Sequence, residues 1–501
     1  MNVAKRAACW QENVIIARHL TAASQTSLIA PLTGDDMHGW LKRKNIESAV
    51  AGHRLAPTLS WWHLMALGVG GVVGTGIYTL VGVGANLAGP GVMLSFVIAG
   101  AICACAALCY AEVAAMIPVS GSAYTYSYAA LGEIFAWIVG WSLILEYSLV
   151  VSTVAVGWSG YFTGFLSGLG MPLPAWAAAG PYAGGLVNVP AVLIIALVAG
   201  LLSAGTRESA TLNAILVVVK LVALAIFVAL AGSHFHMSAF HPFMPYGFSG
   251  HDSHGATRGV MAAAAIIFFA FYGFDAISTA SEEAKNPRRD LPIGIIGSLA
   301  VCTLIYMAVA AAAVGSMPFT DYATSAEPLA LILRKLGSGT AAVVIGAAAI
   351  VALPTVILAF FFGQSRIFFV MARDGLFPRA LAAIHPRTGT PVRITWLTAV
   401  LVAVLAAIFP LDQIASLANA GTLLAFMAVG LCLLVLRRRM PDKARSFRTP
   451  AAWIVAPAAI AGCFYLFLNL QHITQVFFLI WNAVGLAIYL AFTARASARQ
   501  G

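Results

Sequence analysis

The sequence predicts an all-α membrane protein of twelve transmembrane helices, and three observations lead there. First, 61% of the 501 residues are hydrophobic and only 9% are charged, whereas a water-soluble chain carries about 25% charged residues. So few charges cannot cover the surface of a soluble fold, and the deficit disappears if lipid is the solvent. Second, the chain divides into apolar runs near 62–85, 91–116, 134–162, 189–204, 211–232, 258–281, 293–315, 341–372, 392–409, 411–436, 451–470 and 473–493. These are on the scale of the roughly 20 residues that cross a bilayer. Third, the basic residues segregate. With a cytoplasmic N-terminus and alternating spans, only Arg258, Arg334 and Lys335 fall outside and Lys220 and Arg366 fall within spans, while all the rest of the 28 Lys and Arg are cytoplasmic. Lys and Arg are enriched in cytoplasmic loops, and a miscount of one span would scramble the asymmetry. The expected product is a multi-pass protein of the cell membrane with both termini in the cytoplasm.

Segment by segment, residues 1–57 form a cytoplasmic lead. They lack the long apolar run of a secretory signal. From Met37 the chain reads MHGWLKRKNIESAV, a basic amphipathic approach to the first span, so the native start is expected at Met37, with 1–36 disordered or a start-site artefact. The ten spans over 58–436 are read as the core, followed by a basic loop at 437–450, two further spans over 451–493 and a short cytoplasmic tail at 494–501.

The net charge of +10 is accounted for by this topology and does not call for a nucleic-acid partner. Of the seven cysteines, all but Cys9 lie inside apolar runs, and Cys105 and Cys109 read as small packing residues four apart on one helical face. No disulfide framework, metal or cofactor is expected. His234, His236, His241, His251 and His254 crowd one loop, but their spacing fits no metal pattern.

Two apolar runs carry interruptions. The first, ALGVGGVVGTGIY, has Gly68, Gly70, Gly71, Gly74 and Gly76 within nine residues, each weakening a helix by up to about 1 kcal/mol relative to Ala. The glycines superficially match a dinucleotide loop, but no strand precedes them. Small-xxx-small packing is the plain alternative for Gly70 and Gly74. The sixth run, FFAFYGFDAIST, places Gly273 among aromatics with Asp275 two residues on. If spans 1–5 and 6–10 form an inverted repeat, these are corresponding positions, and paired interruptions point to a transporter's substrate site. An unwound segment frees amides at the start of one half-helix and carbonyls at the end of the other. The first suits a carboxylate and the second an ammonium, so a zwitterionic α-amino acid matches the pair.

The stretches GVGGVVGTGIY, AEVAAMIPVSGSAYTYSYAALGE, GWSLILEYSL, FFAFYGFDAISTASEEAKNPRRDLPIGII and GQSRIFFVMARDGLFP together resemble the cationic amino acid transporter family of the amino acid–polyamine–organocation superfamily. The resemblance covers nearly everything from Trp40 to Leu436. It implies a leucine-transporter-type fold, a 5+5 inverted repeat with two additional helices. It also implies that Val73, Gly74, Thr75 and Gly76 receive the substrate carboxylate and that carbonyls around Phe269, Ala270 and Tyr272 receive the amino group. Phe271 or a neighbouring aromatic would act as a lid.

Charges inside spans are costly and need a purpose. Lys220 lies mid-span, either as a static carbonyl-bound ammonium or as the proton-coupling group. The resemblance favours coupling, since it puts the ammonium where related carriers hold Na⁺. Glu146 in the third span is pocket or structural, and Asp275 is expected to cap unwound backbone rather than relay protons. Glu112 is expected at the membrane interface and Arg366 in an inner-gate ion pair.

In the eighth span, Leu353 and Pro354 stand where family members often have other residues. In the third, Ser142 stands where many have an acid. Apolar walls favour a neutral amino acid, while Glu146 keeps a cationic one open. The expected function is therefore a secondary amino acid permease, coupled to protons by symport. The alternatives are a cationic amino acid transporter, an exchanger, and a transporter-like sensor. No metal cluster, nucleotide loop or nucleophile–base motif indicates an enzyme. The expected partners are the amino acid, protons and membrane lipid.

Overall fold

Backbone amides and carbonyls in hydrocarbon have no water to bond, so a chain this apolar must close its hydrogen bonds within helices. The computed structural model describes residues 43, 59–119, 121–204, 210–251, 257–279, 281, 284–322, 324–377, 385 and 391–498. The expected start at Met37 and the segment before it lie outside these residues, as does His254.

The first apolar run holds three pieces, α1 (Trp61–Val72), α2 (Thr75–Tyr78) and α3 (Leu80–Ala88), followed by α4 (Val92–Met116). A short helix α5 (Ser122–Ala130) leads to the long α6 (Glu133–Gly168). Next come α7 (Ala175–Ala178), α8 (Val189–Ser203) and α9 (Ala210–Gly232). The sixth run is α10 (Val260–Ile267), a 3₁₀ turn at Phe268–Phe271 and α11 (Ala276–Thr279). Then follow α12 (Pro287–Ser316), α13 (Pro328–Lys335), α14 (Gly339–Arg373), α15 (Val392–Ile408), α16 (Leu411–Arg439), α17 (Ala452–Leu468) and α18 (His472–Ala498). Every predicted apolar run carries helix. Among the described residues, eight helical stretches are long and apolar enough to cross a membrane, and α8, α15 and α17 are shorter apolar helices. A two-residue hairpin pairs Gly250–His251 with Thr257–Arg258.

Local chemistry sets the boundaries. Ser60 and His63 form a reciprocal cap at the start of α1, the arrangement that satisfies otherwise orphaned first-turn donors. The same lead-in pairs with the segment after α11, where the Lys285 amide donates to the Leu59 carbonyl at 2.7 Å. Helix α5 begins after Gly121 (φ +119°) and is separated from α6 by Gly132 (φ +111°), dihedrals that a side chain disfavours.

Helix α6 is the axis of the bundle, packed against α5, α8, α14, α15 and α16. Its first turns hold α18 through tryptophans. Trp137 Nε1 donates to the Gly485 carbonyl at 2.8 Å, and Trp141 and Trp481 each donate to the other's carbonyl with rings stacked at 4.7 Å. Ser142 also faces this helix, donating to Asn482 Oδ1 at 2.9 Å. It therefore says nothing about the polarity of the substrate pocket, contrary to the sequence argument.

Glu112 is 1% exposed and forms a two-arginine hub with the basic segment at the end of α16. Arg437 donates to both of its oxygens at 2.8 and 2.7 Å, the Thr449 amide donates at 2.7 Å, and Arg445 Nε lies 3.0 Å away. Arg445 also donates to the Leu436 and Met440 carbonyls, closing the end of α16. The hub ties α4 to α16 and the loop beyond it. Removing one partner of a buried ion pair costs about 3–5 kcal/mol. Glu112→Gln should therefore lower the melting temperature of the detergent-solubilised protein by several degrees, and an unchanged value would show that the hub contributes little.

Candidate functional site

The first helix unwinds after Val72. Val73 (ψ 92°) and Gly74 (φ −145°, ψ −149°) leave helical geometry, and α2 restarts at Thr75. Only the Ile77 and Tyr78 amides turn back to the Gly74 carbonyl. The amides of Gly74, Thr75 and Gly76 are left at the head of a half-helix, where no intrahelical acceptor exists. The Thr75 hydroxyl is buried beside them without a hydrogen-bond partner among the described residues.

The sixth run opens similarly. Tyr272 is extended, Gly273 sits at φ +111°, and helix resumes at Ala276. Asp275, 2% exposed, accepts the Gly273 amide at 3.3 Å and the Tyr147 hydroxyl at 3.4 Å.

The two openings touch. A Cβ on Gly273 would stand 2.6 Å from the Gly71 carbonyl carbon and 2.7 Å from the Val72 amide, and a Cβ on Gly76 would run into Ala270. Gly157 of α6 likewise makes room for the Thr75 side chain. Backbone meets backbone here because three glycines leave space for it.

The carbonyls that unwinding exposes are taken by side chains from other helices. Lys220, fully buried on α9, donates from Nζ to the Gly70 carbonyl at 2.8 Å and to Thr355 Oγ1 at 3.1 Å. The backbone carbonyl of Lys220 accepts the Tyr78 hydroxyl at 3.3 Å, so this one residue engages both halves of the broken helix. Tyr306 donates to the Val72 carbonyl at 2.7 Å and Tyr161 to that of Tyr78 at 2.6 Å. Asn419 Nδ2 reaches the Ala265 and Ile266 carbonyls at 2.7 and 3.2 Å, while its Oδ1 accepts the Tyr272 hydroxyl.

The remaining predicted residues are placed as follows. Leu353 is fully buried on α14, one turn from Val356, whose methyl lies 3.3 Å from where a Cβ of Gly74 would be. The Phe269 ring lies against that of Tyr272, tilted by 40° with centroids 4.9 Å apart, whereas the Phe271 ring packs between Phe96 and Tyr306. Glu146 is 1% exposed, lies against Gly421 of α16, and its Oε2 has no hydrogen-bond partner among the described residues. Arg366 stacks its guanidinium on Phe362 one turn away at 4.0 Å. Sequence reasoning missed Tyr161, Tyr306 and Asn419. Asn419 was the most findable, since a polar amide inside an apolar run needs a partner.

Facing helix interruptions in the middle of a membrane bundle are the makings of a carrier of small molecules. The comparisons with known proteins place it further. The family model for amino acid permeases matches residues 59–493. The chain is 44% identical to the branched-chain amino acid permease BcaP of Bacillus subtilis over 464 residues, covering 91% of this chain and 98% of that one. It is 40% identical to the methylthioribose transporter of the same organism, over 92% and 99% of the two chains. It is 38% identical to the vacuolar cationic amino acid transporter 4 of Arabidopsis thaliana, over 81% and 68%. The chain therefore belongs to the amino acid permease family and is a membrane transporter, not an enzyme.

The glycines of the two openings should not be equivalent. Gly273→Ala incurs about 1–3 kcal/mol of backbone strain before its Cβ meets Gly71, and it should lower the melting temperature and abolish uptake together. At Gly74 the added methyl meets only the Val356 side chain, so Gly74→Ala should keep the wild-type melting temperature while uptake falls. Equal melting temperatures for the two variants would contradict the packing described.

Proposed function

We propose that the chain is a secondary active permease for a neutral amino acid, coupled to protons by symport. It crosses the cell membrane twelve times in a 5+5 inverted repeat plus two peripheral helices, with both termini cytoplasmic. The observation that carries this reading is the meeting of the two helix openings beside Lys220. The amides of Gly74, Thr75 and Gly76, with the unpartnered Thr75 hydroxyl, supply donors for a carboxylate, favoured there by the helix dipole. The turn carrying Phe269, Ala270 and Tyr272 supplies carbonyls for the ammonium. Val73 and Leu353 line the same region with apolar surface, which suits an aliphatic side chain.

Two curated relatives are branched-chain amino acid permeases by name, and that agrees with a neutral aliphatic substrate. The methylthioribose transporter among the relatives makes that sugar a necessary member of any test panel.

Lys220 supplies the coupling. While protonated, its Nζ makes charge-assisted donations to the Gly70 carbonyl and Thr355 Oγ1. Loss of the proton leaves an amine with a weaker hold on α1, while the Tyr78 contact to the Lys220 backbone persists. Protonation thus biases how firmly the first half-helix is held to α9, and a ligand shifts an equilibrium only through such differential contacts. Asp275 serves the opened backbone of Gly273 rather than the proton path.

A cationic substrate is the second reading, and the buried, unpartnered Glu146 oxygen favours it. Competition separates the two: leucine should inhibit uptake strongly and arginine weakly, and the reverse order would install the second reading.

Uptake of a labelled panel into proteoliposomes under an inward proton gradient, a sodium gradient, or internal amino acid alone tests the mode. Proton-driven accumulation of a neutral amino acid is expected, with Lys220→Ala losing accumulation at an unchanged protein level. Uptake that requires internal amino acid and ignores both gradients would make the protein an exchanger.

A further inference from the structure

Two basic segments meet at one edge of the bundle. Helix α16, long and apolar enough to cross a membrane, ends in Arg437, Arg438 and Arg439. Helix α12 also has that length and apolarity. It begins just after Lys285 and carries Arg288 and Arg289 in its first turn. The Ser446 hydroxyl, in the loop between α16 and α17, donates to the Arg288 carbonyl at 2.9 Å, so both segments lie at one level. The Lys285 amide donates to the Leu59 carbonyl just before α1, which brings the start of α1 there too. Trp61 and Trp62 of α1 and Trp453 of α17 are all exposed. Tryptophan collects where hydrocarbon meets headgroups, so these rings mark the seam as membrane interface.

The cations on this seam form two sets. Arg437 and Arg445 are engaged by Glu112. Lys285, Arg288, Arg289, Arg438, Arg439 and Arg448 are exposed, and among the described residues none of the six pairs with a carboxylate. Arg439 donates to the Ala130 carbonyl, and the Arg438 guanidinium lies over the Trp453 ring at 5.2 Å. Asp290 is buried in the first turn of α12 and accepts the Asn286 amide. A bias of Lys and Arg towards one membrane face explains the sign of the charge. It does not explain six cations gathered on one seam without counter-charges. Clusters of about four to eight Lys or Arg beside a transmembrane helix attract anionic headgroups, and the guanidinium fork matches phosphate oxygens. Beside these cations, Trp453 and Ile454 present exposed apolar surface.

We propose that this seam is a binding site for the headgroup of an anionic phospholipid. Arg438 and Arg448 on the loop and Arg289 on α12 hold its phosphate, and its upper acyl chain lies against Trp453 and Ile454. A soluble anion would use the cations alone, whereas a lipid uses the apolar pair as well. The bound phosphate offsets repulsion between the two basic segments that Ser446 joins. The site stands apart from the helix openings and is independent of which substrate is carried.

Melting of the full-length protein in detergent, with added dioleoylphosphatidylglycerol or dioleoylphosphatidylcholine, tests it, because a ligand that binds only the folded state raises the melting temperature. Phosphatidylglycerol should raise the wild-type value by several degrees more than phosphatidylcholine does. That increment should shrink in about 1 M salt, where the screening length falls to about 3 Å. A triple variant, Arg289→Gln with Arg438→Gln and Arg448→Gln, should melt like the wild type in phosphatidylcholine and lose the increment. Arg448→Gln alone should lose part of it, and Lys335→Gln, which removes an exposed cation from α13, should lose none. If the triple variant melts early in phosphatidylcholine, the comparison of Arg448→Gln with Lys335→Gln decides. An increment equal in the wild type and the arginine variants would overturn the site. So would glycerol 3-phosphate reproducing the whole increment, which would make the seam a site for soluble anions.

Discussion

A helix that stops being helical inside a bilayer exposes backbone groups where no water can reach them, and much of this structure answers that constraint. The Gly70 carbonyl is taken by Lys220, that of Val72 by Tyr306 and that of Tyr78 by Tyr161. The carbonyls at the end of α10 are taken by Asn419. These partners come from α9, α12, α6 and α16, so the openings are held by the bundle around them. The acceptors are closed by side chains, while among the described residues the amides at Gly74, Thr75 and Gly76 have no backbone partner. Spare donors at a helix start beside an unpartnered hydroxyl make an environment that favours negative charge.

The same contacts tie the opened helix to its neighbours. Lys220 holds α1 through its ammonium and receives Tyr78 on its backbone carbonyl, so one residue of α9 engages both halves of the broken helix. Buried charge in a membrane protein is expensive, and here the Lys220 ammonium is answered by the Gly70 carbonyl and Thr355 Oγ1. Away from the centre, the Glu112 hub fixes α4 to α16 and the tryptophan contacts fix α18 to α6.

Much of the architecture was legible because membrane helices announce themselves by length and apolarity. The runs around Gly74 and Gly273 were legible for the opposite reason, since glycine clusters and an acid among aromatics contradict a plain apolar helix. Lys220 was conspicuous as a mid-span charge. The tyrosines that make the openings tolerable were not legible. Tyr161 and Tyr306 look like ordinary core aromatics until the fold aims their hydroxyls at carbonyls from distant spans. Ser142 and Glu146 lie one turn apart on one helix, yet one faces α18 and the other α16, which periodicity alone does not assign. Helices α5 and α13 were missed because short helices draw their stability from packing and capping, not propensity. The arginine partners of Glu112 were not legible because they lie more than 300 residues away.

The central claim is that the facing openings grip both ends of an amino acid at once, and it is tested most directly by taking the ends away. Displacement of bound radiolabelled leucine would be compared for leucine, for 3-methylbutylamine, which lacks the carboxylate, and for 4-methylpentanoate, which lacks the ammonium. Displacement by leucine, with both truncated analogues weaker by orders of magnitude, is the predicted result. Displacement by either analogue as effectively as by leucine would contradict the account.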